Sequence, residues 1–377
     1  MKKSAEINRL NLTGAGSLLK KNTLMKFRIP LLVPVICLLN LIVNAQSAKI
    51  SPNDWTVYSE NYERTALKDT VYLGKSSMKL DGKKVAIAVK KGQRYKNFRV
   101  DCDIAGRVMS GIGFRAKDQH NYHFLYFRPG YGNTKEAIQY IPVYNGSLSW
   151  VFYNYPTYET TTDIQSMQWF HVGLEVRGTI MKVFVNNSPD PQMEINLVES
   201  DFNEGDILLR TMFGESYFAN ITMYELPEAL TGWEISEQFP RKGTLDLNPA
   251  TPSGKWTKIK PDAANIVNIS RYVPNPNGVI IAKHALKAEA EKDMILYFDF
   301  IGKLKIFLNG KELFYYEKYK LDRIFAGTER IILHLNKGDN ELAFISEGDA
   351  EIFGKGYNAM GRTQHQNWGF IAEVGKR

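Results

Sequence analysis

GIGFRAKDQHNYHFLYFRPGYGNTKEAIQYIPVYNGSLSW, residues 111–150, is the stretch that decides the fold. It contains three short runs of β-forming residues, in chain order Ile112–Arg115, Tyr122–Arg128 and Ala137–Tyr144. Turn residues separate the runs: Lys117-Asp118-Gln119, Pro129-Gly130 and, after the third run, Asn145-Gly146. An Asn-Gly pair beside a strand is typical of a type I′ hairpin turn. The stretch therefore predicts three antiparallel strands joined by tight turns.

The middle run alternates between two faces. Period 2 places Phe124, Tyr126 and Arg128 on one face and the residues between them, Leu125 and Phe127, on the other. We expect the Leu125 face to be buried in the core. The opposite face offers a tyrosine ring and a planar five-donor guanidinium, a pair that suits a hydroxyl-rich or carboxylate ligand. The same pair could also pack against neighbouring strands without a ligand, because aromatic–Arg pairs are common across sheets.

A family resemblance rests on a set of residues in this stretch. They are Gly113-Phe114-Arg115, Asn121-Tyr122, Tyr126, Arg128-Pro129, Gln139-Tyr140, Asn145-Gly146 and Trp150. In this order they resemble the concanavalin A-like (laminin G-like) β-sandwich domains of secreted bacterial proteins. The resemblance covers roughly Trp55 to Leu226 and implies a lectin-like or glucanase-like sandwich. One departure is that relatives often carry His or Ser after Arg-Pro, where this chain has Gly130-Tyr131.

The basic charge of the chain belongs mostly to its first 45 residues. The whole sequence has a formal net charge of +8 and a pI near 9.1. Residues 1–45 hold seven Lys or Arg and one acidic residue, and removing them leaves 41 basic and 39 acidic residues. A nearly balanced remainder lacks the basic excess that binds phosphate backbones. We therefore expect no nucleic-acid partner.

Residues 1–45 are predicted to be a leader with a signal peptide. Met25-Lys26-Phe27-Arg28 forms a charged start, Ile29–Val43 an apolar core, and Val43-Asn44-Ala45 a cleavage site before Gln46. Met25 is the predicted true start, because Met25–Ala45 is a complete signal. The apolar run is shorter than the roughly 20 residues of a spanning helix. We expect no stable membrane span and a secreted protein that is periplasmic, extracellular or associated with the cell surface.

Cys102 is the only cysteine after the predicted cleavage site, so no intramolecular disulfide can form. Alternation places it on one face with Phe98, Val100 and Ile104, and a buried cysteine behaves as a small hydrophobic residue. The flanking aspartates would raise the pKa of its thiol. This argues against a catalytic role.

The remaining chain predicts an all-β architecture of two tandem sandwiches. No segment shows a helical period over eleven or more residues, and short strands alternate with turn residues. The predicted units are 46–226, a linker at 227–232, and 233–377. In the first unit, Met78–Leu80 and Val85–Val89 are predicted strands around a turn at Asp81-Gly82. Asp206–Met212 and Phe218–Glu225 are predicted to close the unit as two further strands.

The second unit resembles another sandwich family. Its stronger strands are Met294–Phe300, Leu304–Leu308, Ile331–Leu335 and Glu341–Ile345. Tight hairpins are predicted at Asn309-Gly310 and across Leu335–Leu342. With Trp368-Gly369-Phe370, these features resemble the galactose-binding-like jelly roll over roughly Trp233 to Val374. The resemblance implies an accessory module of carbohydrate-active enzymes or a structural spacer.

Several catalytic patterns are absent or misplaced. Glu347-Gly348-Asp349-Ala350-Glu351 has the Glu-x-Asp-x-Glu spacing of laminarinase-type hydrolases, but it lies outside the concanavalin A-like unit, and Gly348 and Ala350 replace the apolar residues that such a strand needs for its buried face. His120 and His123 would point to opposite faces of a strand, which disfavours a zinc site. The sequence contains no phosphate-binding loop before a helix and no Gly-x-Ser-x-Gly elbow.

The pattern that favours a ligand is aromatic rings beside planar polar groups, which suits the flat C–H faces and hydroxyls of sugars. The predicted ligand-binding residues are Tyr126, Arg128, Gln139, Tyr144, Asn145 and Trp150. Tyr140, Tyr153 and Tyr155 are further candidates for the same rim, although alternation makes Gln139 and Tyr140 face opposite sides. No cofactor is expected, but loop oxygens in both sandwich types could hold structural calcium, with Asp246-Leu247-Asn248 as a faint indication.

These patterns favour a secreted, non-catalytic carbohydrate-binding protein that assists polysaccharide recognition or degradation, with a glycan as its partner. One alternative is a glycoside hydrolase or lyase that acts on an extracellular glycan, which requires titratable groups to converge in the first unit. The other alternative is a structural or protein-interaction module, which requires polar faces with few rings. The sequence leaves the glycan, the oligomeric state and catalysis open.

Overall fold

The computed structural model describes residues 54–59, 63–241, 245–273, 277–349 and 368–377 of the 377. The predicted leader at 1–45, with its signal peptide and its start at Met25, lies outside these residues, and so does Glu351. The described chain is built from β-strands and two short 3-10 turns, Pro129–Tyr131 and Ile269–Arg271. None of its described helices is long and apolar enough to cross a membrane. The predicted all-β class is confirmed.

The first sandwich contains fourteen strands. In chain order they are β1 (Trp55–Tyr58), β2 (Arg64–Thr65), β3 (Lys68–Tyr72), β4 (Lys75–Tyr95), β5 (Phe98–Gly106), β6 (Met109–Asp118), β7 (Asn121–Phe127), β8 (Ile138–Tyr144), β9 (Ser147–Leu148), β10 (Glu159–Thr160), β11 (Phe170–Arg177), β12 (Ile180–Val185), β13 (Met193–Asn196) and β14 (Gly205–Glu225). The three strands predicted in the opening stretch correspond to β6, β7 and β8.

Antiparallel pairing arranges these strands in two layers. The front sheet has the order β2-β1-β4-β14-β6-β7-β8-β10. The back sheet has the order β3-β4-β14-β5-β11-β12-β13. Both sheets contain β4 and β14, because each of these 21-residue strands leaves one layer and enters the other.

A bulge marks the place where β14 changes sheets. The pairing of β14 with β4 shifts register between Met212 and Gly214, where Phe213 and Gly214 have φ angles of 58° and 147°. A bulge bends a strand and increases its twist. Opposite it, a Cβ on Gly82 would lie 2.7 Å from the Ala86 nitrogen. The predicted turn at Asp81-Gly82 is therefore wrong: the glycine permits a bend in one continuous strand.

Alternating side chains of the two sheets form the main core. Leu125 and Phe127 belong to it, which confirms the predicted core face. Cys102 is buried in the same core, and burial raises the pKa of its thiol well above the ordinary value. The sandwich thus has the dry interior that alternation in β5 and β7 predicts.

The front sheet is apolar on its other face as well. Tyr122, Phe124 and Tyr126 form a second buried cluster there with side chains of β8 and β14. The Arg210 guanidinium lies over this cluster, 5.4 Å from the centroid of the Phe124 ring. Tyr126 was expected to face a ligand, but only 1% of it is exposed. The alternation placed Tyr126 on the correct face, but side chains packed on that face bury the ring.

The second sandwich contains ten strands. They are β15 (Glu228–Ala229), β16 (Trp233–Ser236), β17 (Trp256–Ile259), β18 (Ile266–Asn268), β19 (Gly278–Ala288), β20 (Lys292–Leu308), β21 (Lys311–Lys320), β22 (Glu329–Leu335), β23 (Gly338–Gly348) and β24 (Gly369–Lys376). One layer has the order β22-β20-β24, with β15 and β18 beyond β24. The other layer has the order β21-β20-β23-β19-β16-β17.

Here β20 is the strand shared by both layers, and it bends at Gly302, whose φ is 100°. The two predicted strands Met294–Phe300 and Leu304–Leu308 are therefore one. The predicted hairpin across Leu335–Leu342 is wrong, since β22 pairs with the first half of β20 whereas β23 pairs with its second half and with β19. The turn between them connects the layers. Its glycine and asparagine are turn residues in either arrangement.

The two Asn-Gly hairpin turns are confirmed. Asn145 and Gly146 have φ angles of 52° and 76° and connect β8 to β9. Asn309 and Gly310 have φ angles of 50° and 81° and connect β20 to β21. Positive φ at both central positions defines the type I′ turn, which matches the twist of paired strands.

Charged groups join the end of the first sandwich to the second. β15, within the segment predicted as a linker, pairs with β24. The Lys376 ammonium lies 2.7 Å from the Glu225 carboxylate, and an Arg177 nitrogen lies 3.4 Å from the Glu373 carboxylate. Glu373 is buried, and burial raises its pKa despite the opposing effects of Arg177 and Asn265.

We predict that Gly302→Ala destabilises the second sandwich by about 1–3 kcal/mol, because an L-residue is strained at this backbone angle. Urea unfolding would measure the change. Gly254→Ala is the matched control: its φ is ordinary, and a Cβ there would meet only the flexible end of Glu237. Equal midpoints for the two variants would show that the bend tolerates a side chain.

We predict that Glu373→Gln raises the melting temperature at neutral pH and not in acid. The folded state favours the neutral carboxyl, so the wild type loses stability as pH rises from the ordinary pKa of 4.5 through the raised folded pKa. The glutamine variant has no such loss. Calorimetry from pH 4 to 8 would show the curves diverge, whereas Glu225→Gln, in the exposed pair with Lys376, should follow the wild type. A constant offset for Glu373→Gln would contradict this explanation.

Candidate functional site

A buried tyrosine–glutamine pair lies beneath the predicted site. Tyr126 on β7 and Gln139 on β8 are opposite each other in the ladder, and the Tyr126 hydroxyl donates to the Gln139 Oε1. Burial raises the pKa of Tyr126. Tyr140, the next residue, packs in the main core, as the alternation predicted. The predicted ligand-binding residues Tyr126 and Gln139 therefore contact each other, but both are buried.

The amide nitrogen of Gln139 holds the loop that follows β9. It donates to the backbone oxygens of Trp150 and Tyr153, at 3.3 and 3.0 Å. Since the side chain is fully buried, these bonds and the one from Tyr126 satisfy groups that would otherwise be costly to desolvate. Gln139 thus fixes the position of the loop that carries Trp150.

Arg128 emerges at the end of β7. Its guanidinium pairs with the Glu136 carboxylate and lies 4.1 Å from the centroid of the Tyr131 ring. Its Nε is buried and has no hydrogen-bond partner in the described chain. The turn after Arg128 accounts for a glycine at position 130. The Gly130 backbone amide donates to the Arg107 backbone oxygen at 3.0 Å, and this close approach leaves little room for a Cβ.

Three rings are open to solvent on the loop, those of Trp150, Phe152 and Tyr155. Trp150 and Tyr155 are 54% and 55% exposed. The loop is ordered by its own polar groups: the Asn154 amide donates to the Val151 oxygen at 2.9 Å, and the Tyr155 backbone N–H donates to Glu159 at 2.9 Å. Such bonds hold large apolar groups at the surface of a fixed loop.

These groups enclose a cleft of about 250 Å³. Its lining residues are Arg128, Lys135, Glu136, Trp150, Asn154, Tyr155 and Glu159. We refer to it as the Trp150 cleft. It combines two rings with a guanidinium, an ammonium, an amide and two carboxylates, so that hydrogen-bond donors and acceptors stand beside apolar faces.

Tyr144 and Asn145 lie elsewhere. They follow β8 to the end opposite Gln139, roughly 17–20 Å along the strand. The Tyr144 hydroxyl donates to the Glu199 oxygen at 3.4 Å, and the Asn145 backbone N–H donates to Asn121 at 3.0 Å. Of the six predicted residues, Arg128 and Trp150 line the cleft, Tyr126 and Gln139 support it, and Tyr144 and Asn145 are remote from it.

Sequence reasoning missed Lys135, Glu136, Asn154 and Glu159. Glu159 reaches the cleft because β10 pairs with β8, where Glu159 lies opposite Gln139. No local period indicates that pairing, since β10 has only two residues. Lys135 and Glu136 lie within eight residues of Arg128, and this proximity in sequence was an available signal.

The other chemical candidates are engaged in the structure. Glu347 is buried in the second sandwich, 3.3 Å from the Lys303 ammonium, and Asp349 lies 2.7 Å from an Arg241 nitrogen. His123 is buried and bonded to the Tyr140 hydroxyl at 2.7 Å, and burial lowers its pKa to about 3. Over the described ranges, no three His, Cys, Asp or Glu residues are placed to hold a metal ion.

Comparison with known proteins gives structural likeness only. No protein-family model matches the chain, and no curated protein matches it. It is similar to the carbohydrate-binding module CBM66 from Bacillus subtilis, with 17% identity, 45% of this chain and 94% of that chain covered, and a TM-score of 0.35. It is also similar to a Bacillus subtilis protein of unknown function with a galectin-like fold, with 11% identity, coverages of 48% and 93%, and a TM-score of 0.35.

A third similar structure is the exoplasmic/lumenal domain of VIP36 in its Ca²⁺/Man3GlcNAc-bound form. The identity is 10%, the coverages are 46% of this chain and 84% of that chain, and the TM-score is 0.32. The assignment of a two-layer β-sandwich here rests on the strand pairing and the core.

We predict that Gln139→Met loosens the Trp150 loop and lowers the free energy of unfolding by about 1–3 kcal/mol, because it leaves the Tyr126 hydroxyl and two backbone oxygens without partners. Denaturant unfolding and amide exchange in residues 149–155 would measure both effects. Adding Tyr126→Phe should recover part of the loss, since it removes the orphaned hydroxyl. Strictly additive losses would mean that the two side chains are not coupled.

Proposed function

We propose that the protein is a secreted, non-catalytic carbohydrate-binding protein that binds a glycan in the Trp150 cleft and assists polysaccharide recognition or degradation. The observation that carries the proposal is the exposure of Trp150 and Tyr155 on a loop anchored from beneath by Gln139. Ordered, exposed rings lose little further entropy when a ligand stacks on them.

The polar groups of the cleft suit hydroxyls. The Arg128 Nε is buried and has no hydrogen-bond partner among the residues that the structure describes, and the Lys135 ammonium lies 5.7 Å from the centroid of the Tyr155 ring. Two basic and two acidic residues line the cleft, so their formal charges balance. A balanced site favours a neutral ligand over an ion, because an ion would need an uncompensated opposite charge for its desolvation.

The carboxylates in the cleft favour binding over hydrolysis. Glu136 is paired with Arg128, and Glu159 is buried and accepts the Tyr155 backbone N–H. Glycoside hydrolysis by a carboxylate pair needs one group free to protonate the leaving oxygen and another to act as nucleophile or base. Both carboxylates here have structural partners. Catalysis by a glycoside hydrolase or lyase remains the alternative that product analysis would reveal.

The proposal includes the two-unit organisation. The first unit, 46–226, is a concanavalin A-like sandwich, and the second, 233–377, is a galactose-binding-like jelly roll. Support comes from the cores, which are separate: one pair of apolar clusters lies within 55–223 and the other within 230–374. The junction at 227–232 contributes β15 to the second unit. Structural calcium on loop oxygens belongs to the same proposal.

A polysaccharide pull-down and glycan array with residues 46–377, with and without calcium, would test this function. We expect Trp150→Ala and Tyr155→Ala each to weaken binding about 2- to 10-fold, the contribution of one aromatic contact. Phe325→Ala is the control, because Phe325 is 64% exposed on the second sandwich and lines neither side of the cleft.

The outcomes separate the three functions. Binding without released sugar, weakened in both cleft variants, supports the proposal. Release of soluble sugar by the wild type would replace it with an enzyme. Unchanged binding in both variants would remove the Trp150 cleft from the function, and failure to bind any glycan would favour a structural or protein-interaction module.

A further inference from the structure

A second and larger cleft, of about 480 Å³, opens on the outer face of the back sheet. Its lining residues are Lys75, Asp103, Trp169, Phe170, His171, Asn186, Asn187 and Asn220. We refer to it as the Asp103 cleft. It shares no lining residue with the Trp150 cleft, and its volume lies within the range of about 300–1,000 Å³ that is usual for small-molecule sites.

Asp103 forms the floor of this cleft and is only 6% exposed. Three strands of the back sheet supply its partners. One carboxylate oxygen accepts from the His171 Nδ1 at 2.8 Å, and the other accepts from the Lys75 ammonium at 2.7 Å and the Asn220 amide at 2.6 Å. A carboxylate has about four acceptor positions, so this arrangement leaves it about one more.

The protonation state of Asp103 follows from these partners. Burial alone would raise its pKa, but the hydrogen bonds from Lys75, His171 and Asn220 outweigh burial and hold the pKa below the ordinary value. Asp103 is therefore ionised at neutral pH. Its remaining acceptor position can take a hydroxyl proton.

The backbone around the cleft places three asparagine side chains in its lining. Asn220 lies at a bulge in β14, where the pairing with β5 shifts register between Ala219 and Thr222. Asn186, Asn187 and Asn220 all have φ angles between 50° and 58°. Asparagine tolerates this left-handed region better than most residues, and bulges are common beside binding sites. The Asn187 amide is exposed and makes no hydrogen bond within the described chain.

One wall of the cleft is aromatic. The Trp169 Nε1 donates to the Tyr72 oxygen at 3.1 Å, so its polar atom is satisfied within the protein. Tyr72 packs edge-on against Trp169 and stacks on Tyr217 with ring centroids 3.9 Å apart. The Lys75 ammonium lies 5.2 Å from the Trp169 ring centroid. Trp169 therefore offers the cleft an apolar surface whose position is fixed.

The charge of the lining limits the ligand. Lys75 and Asp103 are its two permanently charged groups, and they neutralise each other at 2.7 Å. A ligand carboxylate would meet the Asp103 carboxylate, and a ligand ammonium would compete with Lys75. A neutral molecule with several hydroxyls can bond to the remaining acceptor position of Asp103 and to the asparagine amides, and it can contact the Trp169 ring. It does so without displacing Lys75 or the other partners of Asp103.

We propose that the Asp103 cleft is a second saccharide-binding site, which takes a neutral sugar unit through Asp103, Asn187 and Trp169. The inference rests on the proposed function in taking carbohydrate as the ligand class. Asp103 accepts from a sugar hydroxyl, Asn187 hydrogen-bonds a neighbouring hydroxyl, and Trp169 contacts a C–H face. Lys75 cancels the charge of the floor and so sets the preference for neutral sugars.

Saturation-transfer NMR with 46–377 would test this site. The probes are glucose, galactose, mannose and fructose, with glucosamine as a cationic comparator and glucuronate as an anionic one. The key background is the double variant Trp150→Ala/Tyr155→Ala, which removes both exposed rings from the first cleft. We expect it to retain binding to at least one neutral sugar. Adding Asn187→Gly should weaken this binding about 2- to 10-fold, because one hydrogen bond is lost.

Two variants keep the test specific. Asn187→Gly preserves the fold, since glycine readily adopts the left-handed backbone of this position. Lys75→Met leaves the Asp103 charge uncompensated and should shift the preference from neutral sugars toward glucosamine by about 10-fold, as expected for a charged hydrogen bond. A purely structural role for Lys75 would alter stability without reversing this preference.

The results distinguish the two clefts. If the double variant binds none of the sugars that the wild type binds, the second site is overturned and the Trp150 cleft stands. If Asn187→Gly and Lys75→Met change neither affinity nor preference in the double variant, the second site is also overturned. Retained binding that both variants alter supports the second site, even where Trp150→Ala alone has no effect.

Discussion

The pairing of β14 with β4 is the constraint on which the first sandwich depends, because both strands belong to both sheets. The first half of β14 pairs with β6, which leads through β7 and β8 to the Trp150 cleft. The second half pairs with β5, which leads to β11 and the Asp103 cleft. The bulge at Phe213-Gly214 thus sets how the layers, and the surfaces they carry, are placed.

A buried polar side chain supports each cleft in the same way. Gln139 bonds to the Tyr126 hydroxyl and to two loop oxygens, and Asp103 accepts from three side chains of neighbouring strands. A fully satisfied buried network restricts its members to one arrangement, whereas a partly satisfied one would be costly. The Gln139 network holds the loop that carries Trp150, and the Asp103 network fixes Lys75, His171 and Asn220 in the lining of the second cleft. The two clefts differ chemically in their central residue. The Gln139 amide nitrogen makes its hydrogen bonds within the protein, while the Asp103 carboxylate keeps about one acceptor position for a ligand.

Sequence patterns predicted the local features of this fold and missed those that depend on distant partners. Asn145-Gly146 and Asn309-Gly310 form the predicted turns, because positive φ is a local requirement. Asp81-Gly82 has the same turn chemistry but lies in a continuous strand, since the bulge opposite it belongs to β14, more than a hundred residues away. At Gly302, likewise, the sequence predicts two strands where the structure has one bent strand, β20.

The candidate site shows the same limit. Alternation gave the correct faces for Tyr126 and Gln139, but their burial depends on the apolar cluster that covers the front sheet. The Asp103 cleft had no local signal, because the partners of Asp103 are 28, 68 and 117 residues away in sequence. The exposure of Trp150 could be predicted, because Trp150 lies in a loop after a hairpin and has no strand face on which to be buried.

The chain at the end of β5 accepts hydrogen bonds from residues near both clefts, and this bears on the size of the ligand that the two proposals imply. Gly106 and Arg107 are consecutive: the backbone N–H of Met167, near Trp169, donates to Gly106, and that of Gly130, near Arg128, donates to Arg107. A single sugar can occupy one cleft at a time. Under the two proposals, a polymer able to reach both clefts would bind more tightly than a free sugar, because binding in one cleft raises the effective concentration at the other. Ligand length would then add to the preference for neutral ligands that the balanced charge gives each proposed cleft.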